Sequence, residues 1–260
     1  MQLWWTVADI NYPLAAISEA SLEFVLADVG QAAWDEFFDA HIKESAEFTE
    51  WTPVLKFTAE IGDPADPSSS STALTETVGY AARAADRHEE IHVREDRLIL
   101  FRRGQYTDWH AFTGWVLPWL ERLRTSCPHL ELTAIVAAYI NELPVPDEPY
   151  EVSDWVRIAP PIPPSLSQTI LSMRAATTIP IDDGRAEIFV RTEESDERLY
   201  PGLTLRIRTE LERSLAFESV NFDAEVEDWL TALRDAKNAV FEACITEATR
   251  MKMRGPDDHR

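Results

Sequence analysis

Glycine and cysteine are both scarce in this chain of 260 residues, which contains eight glycines and two cysteines. Glycine-rich phosphate loops are therefore not expected, and no G-x-G-x-x-G, P-loop or G-x-S-x-G motif occurs. Cys127 and Cys244 are too few for a disulfide framework, which predicts a reducing compartment, the cytoplasm. No apolar run approaches the roughly 20 residues of a membrane helix, and the N-terminus lacks the features of an export signal.

Basic residues are also few: 24 Lys and Arg stand against 46 Asp and Glu, for a formal net charge of -22. Residues 1–66 contain 13 of the acidic residues but only Lys43 and Lys56, so this acidic region carries half of the net negative charge. Direct DNA binding by this region is not expected, because such binding depends on cations that displace counterions. The charge either keeps the protein soluble or forms a surface that binds a basic protein.

Hydrophobic residues make up 45% of the chain and include nine tryptophans, enough for a sizeable core. Their periodicity predicts strands at 21–26, 51–61, 132–139, 170–179, 186–191 and 203–212, and a single hairpin formed by 76–86 and 91–103. Helical spacing predicts helices at 33–46, from Thr107 or Asp108 to Leu123, and from Asn221 or Asp223 to Cys244. Pro118 should kink or break the second helix.

Seven prolines between Leu143 and Pro164 predict an extended crossing segment. The chain therefore divides into an N-terminal half at 1–143, a proline-rich segment at 144–164 and a C-terminal half at 165–255. The order strand, hairpin, strand, helix occurs in both halves. The predicted fold is α+β, with two pseudo-repeated halves of antiparallel strands that are each followed by a packing helix.

Three segments carry a resemblance to a known family. They are the strand at 94–101 with Tyr106 and Trp109 after it, the strand at 138–146 that contains Tyr-Ile-Asn, and the helix at 239–246 that ends in Ile-Thr. In these segments the chain resembles a sporadically distributed family of uncharacterised bacterial proteins of about this length. The resemblance implies an intracellular bacterial protein, and its patchy inheritance is associated with mobile or defence genes.

His88-Glu89-Glu90-Ile91-His92 matches the H-E-x-x-H zinc signature, which needs a helix to bring both imidazoles to one metal ion. The apolar alternation of Ile91 and Val93 instead predicts a strand, where residues four apart lie about 13 Å from each other. A zinc hydrolase that uses His88, Glu89 and His92 is therefore only a minor alternative. No metal ion or other cofactor is predicted.

The absence of other catalytic motifs favours a non-enzymatic interaction protein: an antitoxin, an inhibitor or a subunit of a bacterial antiviral defence complex. The predicted contacts with its basic protein partner are Trp4, Trp5, Asp35, Glu36, Asp39 and Glu44. The alternative is a nucleotide- or small-ligand-binding or hydrolytic domain with a cleft between the two halves. Its predicted lining residues are Trp109, Tyr139, Asn141, Arg174, Arg206 and Arg208. The strand arginines either form such a basic surface or pair with neighbouring carboxylates.

Overall fold

The structure is a computed structural model that describes Tyr12 and residues 16–27, 29–60, 72–94, 96–104, 106–159, 172–181, 184–193 and 201–254. Nine strands form one sheet in the order β2-β3-β4-β5-β1-β6-β9-β8-β7, and every neighbouring pair is antiparallel. The strands are β1 (Ala16–Ala27), β2 (Phe48–Glu60), β3 (Thr72–Ala84), β4 (Glu89–Arg94), β5 (Arg97–Arg103), β6 (Glu131–Leu143), β7 (Arg174–Ile181), β8 (Gly184–Glu193) and β9 (Gly202–Ala216).

Helices occupy the connections between groups of strands. They are α1 (Gln31–Phe37), which continues into a π-helical turn (Phe38–Ile42), α2 (Trp109–Ser126), a 3-10 turn (Val152–Asp154), α3 (Phe222–Cys244) and α4 (Glu247–Arg254). The prediction of an α+β fold is confirmed. Within the described ranges, no helix is long and apolar enough to cross a membrane.

The sheet has a helix-bearing face and an open face, which no described helix covers. On β1, Leu22 and Phe24 are buried in the core with residues of α2 and α3. The residue between them, Glu23, points to the open face and pairs with Arg97 and Arg208. The alternation of apolar and charged residues along β1 therefore assigns one set to the core and the other to the open face.

Two clusters of buried side chains lie under the helices. One contains α1, α2 and the first part of α3, including Trp34, Trp119 and Trp229. The other contains residues of β8 and β9 with the last part of α3, including Val240 and Cys244. Helix α3 contributes side chains to both clusters, as do the central strands β6 and β9.

Several local predictions differ from the structure. The predicted hairpin is present as the antiparallel pair of β3 and β4, but its second strand at 91–103 is not continuous, because β4 and β5 are separate strands joined by a short turn at Asp96. Helix α2 does begin after Asp108, whose carboxylate accepts a hydrogen bond from the amide of Ala111. The helix continues through Pro118 without a break. Gly114 and Pro118 both lie on its exposed side, so water can bind the carbonyl that loses its donor.

The proposed repeat and the domain division stay predictions. Strand β6 pairs along its length with β1 on one side and with β9 on the other, so one continuous sheet extends across the predicted boundary. The first half contributes five strands before β6, and the second contributes three strands after it.

Candidate functional site

The edge strand β2 and its neighbour β3 expose a group of large apolar side chains. Trp51, Leu55 and Phe57 on β2 are 47%, 59% and 67% exposed, and Leu74 on β3 is 64% exposed. They are four of the eight large hydrophobic side chains that stand exposed in the described part of the chain. A cluster of this kind on a protein surface usually marks a contact with another molecule.

Three of these side chains lie on a two-stranded ribbon that extends beyond the rest of the sheet. Within β3, only Gly79–Arg83 pair with β4. The pairing of β2 with β3 continues beyond this stretch, from Leu55 opposite Thr77 to Glu60 opposite Thr72. We call this ribbon of residues 55–60 and 72–77 the β2–β3 arm. It is roughly 20 Å long, since a strand advances about 3.3 Å per residue.

Gly79 lies where the arm leaves the sheet. A Cβ atom at this position would come within 1.9 Å of the carbonyl oxygen of Val93 on β4, so only glycine permits this approach of the two backbones. A bulge between Val54 and Leu55 on β2 lies opposite the same point. Bulges bend and twist a strand pair. Gly79 and this bulge therefore determine where the arm begins.

Carboxylates lie on the helix next to the base of the arm. Trp34, Phe37, Phe38 and Ile42 anchor α1 and the π-helical turn in the core. Glu36, Asp39 and Glu44 stand exposed on the outside, and Asp39 forms an ion pair with Lys43 at 2.8 Å. Exposed pairs of this kind contribute little to stability, so these carboxylates are accessible to a partner.

An aromatic stack connects this helix to β2 and β3. The ring of Phe38 stacks on Tyr80 of β3 with 4.1 Å between centroids, and it contacts Trp51 of β2 at 5.3 Å. The hydroxyl of Tyr80 donates a hydrogen bond of 2.8 Å to Asp35, which raises the pKa of Tyr80. Asp35 also accepts a hydrogen bond from Gln31 and is therefore held within the structure.

The exposed carboxylates Glu36, Asp39 and Glu44 and the exposed side chains of Trp51, Leu55 and Phe57 form what we call the β2 edge surface. Leu74 lies opposite Thr58 and therefore points to the other side of the arm. Within the described residues, the outer edge of β2 pairs with no other strand, so its backbone groups can accept an added strand. Of the partner contacts predicted from the sequence, Glu36, Asp39 and Glu44 belong to this surface and Asp35 lies beneath it. Trp4 and Trp5 lie outside the described residues.

The predicted ligand-binding residues do not line one cleft. Tyr139 and Asn141 of β6 lie on the helix-bearing face, whereas Arg174, Arg206 and Arg208 of β7 and β9 lie on the open face. The register decides this, because Arg208 is opposite Ala138 rather than Tyr139. The sheet itself separates the two groups.

On the helix-bearing face, the predicted aromatic residues serve packing. Tyr139 is fully buried, with the rings of Tyr106 and Trp109 at 5.4 and 6.4 Å and the ammonium of Lys237 4.1 Å from its ring centre. This burial raises the pKa of Tyr139. The side-chain amide of Asn141 donates a hydrogen bond to the carbonyl of Leu205 on β9.

On the open face, Arg208 belongs to a network of ion pairs. Its guanidinium lies 2.7 Å from Glu210 and 3.8 Å from both Glu23 and Glu187. Arg185 also binds Glu210, at 2.8 Å. These carboxylates satisfy Arg208 within the sheet, so it is not available to hold an external anion.

The residues of the H-E-x-x-H match lie on β4 and directly before it, not on a helix. His88 precedes β4 and contacts the carbonyl oxygen of Arg103 through Nδ1, whereas His92 on β4 contacts Glu90 through Nε2. Among the described residues, no three His, Cys, Asp or Glu side chains are grouped so that they could hold a metal ion. The two imidazoles are instead used in separate hydrogen bonds.

Glu90 is the centre of a buried ionic cluster on the open face. Its side chain contacts Arg83 at 3.1 Å, Arg103 at 3.4 Å and His92 at 2.5 Å. Burial alone would raise the pKa of Glu90, but the hydrogen bond from His92 and the charges of Arg103 and Arg83 outweigh it and lower the pKa to about 2. Glu90 is therefore ionised throughout the physiological pH range, which suits an ion pair rather than proton transfer.

Sequence reasoning predicted β2 as a strand but missed the exposure of Leu55, Phe57 and Leu74. Their alternation is the same as that of a half-buried strand, and whether the face is covered depends on elements from other parts of the chain. Comparisons with protein-family models, with curated proteins and with solved structures find no match.

Proposed function

We propose that this protein is a non-enzymatic interaction protein that binds a basic protein partner through the β2 edge surface. The observation that carries the proposal is the coincidence of three features at one sheet edge: exposed apolar side chains, a strand edge that pairs with no other described strand, and exposed carboxylates. A catalytic or ligand-storage role would give no reason for this combination, whereas a protein interface uses all three.

The partner that fits this surface is an extended segment with apolar residues at alternate positions and with Lys or Arg at its ends. Such a segment would pair with the backbone of β2 as a tenth strand and place its apolar side chains against Trp51, Leu55 and Phe57. Lys or Arg side chains beyond the paired stretch would meet the exposed carboxylates Glu36 and Glu44. Burial of apolar area would supply affinity, and charge complementarity would supply speed of association and specificity.

The biological roles that accord with such binding are those of an antitoxin, an inhibitor or a subunit of a bacterial defence-type complex. An acidic protein that covers a basic one can block the nucleic-acid-binding surface of its partner. We further propose that it acts in the cytoplasm, which accords with two buried cysteines that form no disulfide.

We also propose that the sheet consists of two pseudo-repeated halves. In each half the first strand pairs with the last strand of the following meander, β1 with β5 and β6 with β9, and a helix follows directly. The alternative function, a ligand-binding or hydrolytic domain, requires a cleft between these halves. No such cleft is supported, because its predicted lining residues occupy opposite faces of the sheet.

The direct test uses a synthetic peptide of alternating Lys and Val as the probe and measures its binding by fluorescence anisotropy. We expect the wild-type protein to bind it and the double variant Leu55→Ser, Phe57→Ser to bind at least about tenfold more weakly. Both residues are exposed, so the variant should fold normally. Leu117→Ser is the matched control, since Leu117 is an exposed apolar residue on α2.

A second pair of variants tests the charges. Glu36→Lys, Glu44→Lys should weaken binding and reduce its dependence on salt, whereas Glu227→Lys, Asp228→Lys on exposed positions of α3 should not. The proposal fails if a Glu–Val peptide binds as well as the Lys–Val peptide. It also fails if the protein elutes alone from its native host at low salt.

A further inference from the structure

The outer end of the open face, formed by β7, β8 and β9, carries a small basic and aromatic group. Arg174 on β7 lies directly opposite Arg191 on β8, and Phe189 on β8 lies between Ala176 on β7 and Arg206 on β9. Opposed residues of antiparallel strands point to the same face, with Cβ atoms about 5 Å apart. Ile188 and Val190, which alternate with Phe189, are buried on the helix-bearing face.

The charges of this group differ from those of the rest of the open face. Arg97, Arg185 and Arg208 all have carboxylate partners within the sheet. Arg174 and Arg206 are exposed and have no ion-pair partner in the part of the chain that the structure describes. This is unexpected in a chain with 46 acidic and 24 basic residues.

Guanidinium groups bind phosphate and carboxylate oxygens through paired N–H donors. Arg174 and Arg206 are therefore available to bind an external anion.

The position of Phe189 indicates that the bound anion also contains a planar ring. The side chain of Phe189 is 45% exposed on the open face, where contact of an apolar ring with water is unfavourable. The methyl group of Ala176 leaves space beside it on the β7 side, and the guanidinium of Arg206 lies on the β9 side. A planar ring can stack on an exposed phenylalanine, and an adjacent arginine strengthens such stacking.

We propose that Arg174, Phe189 and Arg206 form a nucleotide-binding site. The base stacks on Phe189, and Arg174 and Arg206 bind the phosphate. The same chemistry is available from a free nucleotide and from a nucleotide within single-stranded RNA or DNA. The net charge of -22 opposes a long polyanion, so only a short segment of a strand would be held. This site lies at the opposite end of the sheet from the β2 edge surface and does not depend on it.

The test titrates the full-length protein at low salt with ADP and with a short fluorescein-labelled oligoadenylate, by calorimetry and by anisotropy. Inorganic phosphate and polyglutamate serve as anions without a base. We expect ADP or the oligoadenylate to bind more tightly than either of these, and binding to weaken as salt rises. The comparison of ADP with the oligoadenylate identifies the source of the nucleotide.

Arg174→Ala, Arg206→Ala and Phe189→Leu should each weaken binding about tenfold, with unchanged thermal denaturation because all three side chains are exposed. Arg157→Ala is the matched control, since Arg157 is an exposed arginine beside the bridge between Val156 and Ile245 on the helix-bearing side. Equal loss in the control variant, no loss in the three site variants, equal binding of polyglutamate, or no binding of either nucleotide probe would each overturn the proposal.

Discussion

The buried carboxylate of Glu90 permits a quantitative prediction about stability and pH. Glu90 is 4% exposed, is ion-paired with Arg83 and Arg103, and is hydrogen-bonded to His92. The substitution Glu90→Gln keeps the size of the side chain and removes its charge. Because Arg83 and Arg103 are partly exposed and can turn toward water, we expect a loss of about 2–3 kcal/mol near neutral pH, somewhat less than the roughly 3–5 kcal/mol for breaking a fully buried pair.

The sign of the pH dependence follows from the lowered pKa. The pKa of Glu90 is about 2 in the folded protein, against an ordinary value of 4.5. A carboxylate whose folded pKa is lowered stabilises the protein fully above its unfolded pKa, and this stabilisation is lost as the pH falls from 4.5 to about 2. The stability difference between wild type and Glu90→Gln should therefore be constant above about pH 5 and fall to about half by about pH 3.

Urea denaturation of both proteins across this pH range measures the difference directly. The comparison isolates Glu90, because the other carboxylates titrate in both proteins. A difference that does not change between neutral and acidic pH would refute the argument. It would mean that the substitution weakens packing around this side chain rather than an ion pair.

Three further predictions concern single positions. Asp108→Ala should lower the free energy of unfolding by about 1 kcal/mol, because α2 loses its cap, whereas Asp108→Asn should not; thermal denaturation compares them. Gly79→Ala should destabilise the protein by more than about 2 kcal/mol, since its Cβ atom would meet the carbonyl of Val93; Gly30→Ala, which has open space around it, is the control. Burial raises the pKa of Cys244 to about 12, so its thiol should resist a disulfide reagent at mildly alkaline pH until urea unfolds the protein. Rapid reaction of this thiol in the folded protein would contradict its burial.

The strands and helices were largely predictable because their side chains repeat with a clear period. The alternation in β1 and the stripe of α3 are each fixed by neighbours close in sequence. The turn between β4 and β5 was not found, because it contains polar residues but no glycine or proline, and the apolar alternation continues on both sides of it. A turn without a glycine or proline leaves little local signal.

The candidate sites were less predictable, since they depend on how strands pair. Tyr139 and Arg208 are on opposite faces only because Arg208 aligns with Ala138. A shift of one residue in this register would place them on the same face, and no local pattern specifies the register. The exposure of Phe57 depends in the same way on whether elements from other parts of the chain cover its face.

The position of α3 across both buried clusters has a consequence for how the protein unfolds. Trp229 is packed in one cluster and Cys244 in the other, so melting either end of this helix removes support from the other cluster. We expect a single cooperative transition for the whole molecule, in which fluorescence and circular dichroism change together. A fragment that stops before residue 222 would lack the helix that packs in both clusters and should not fold by itself.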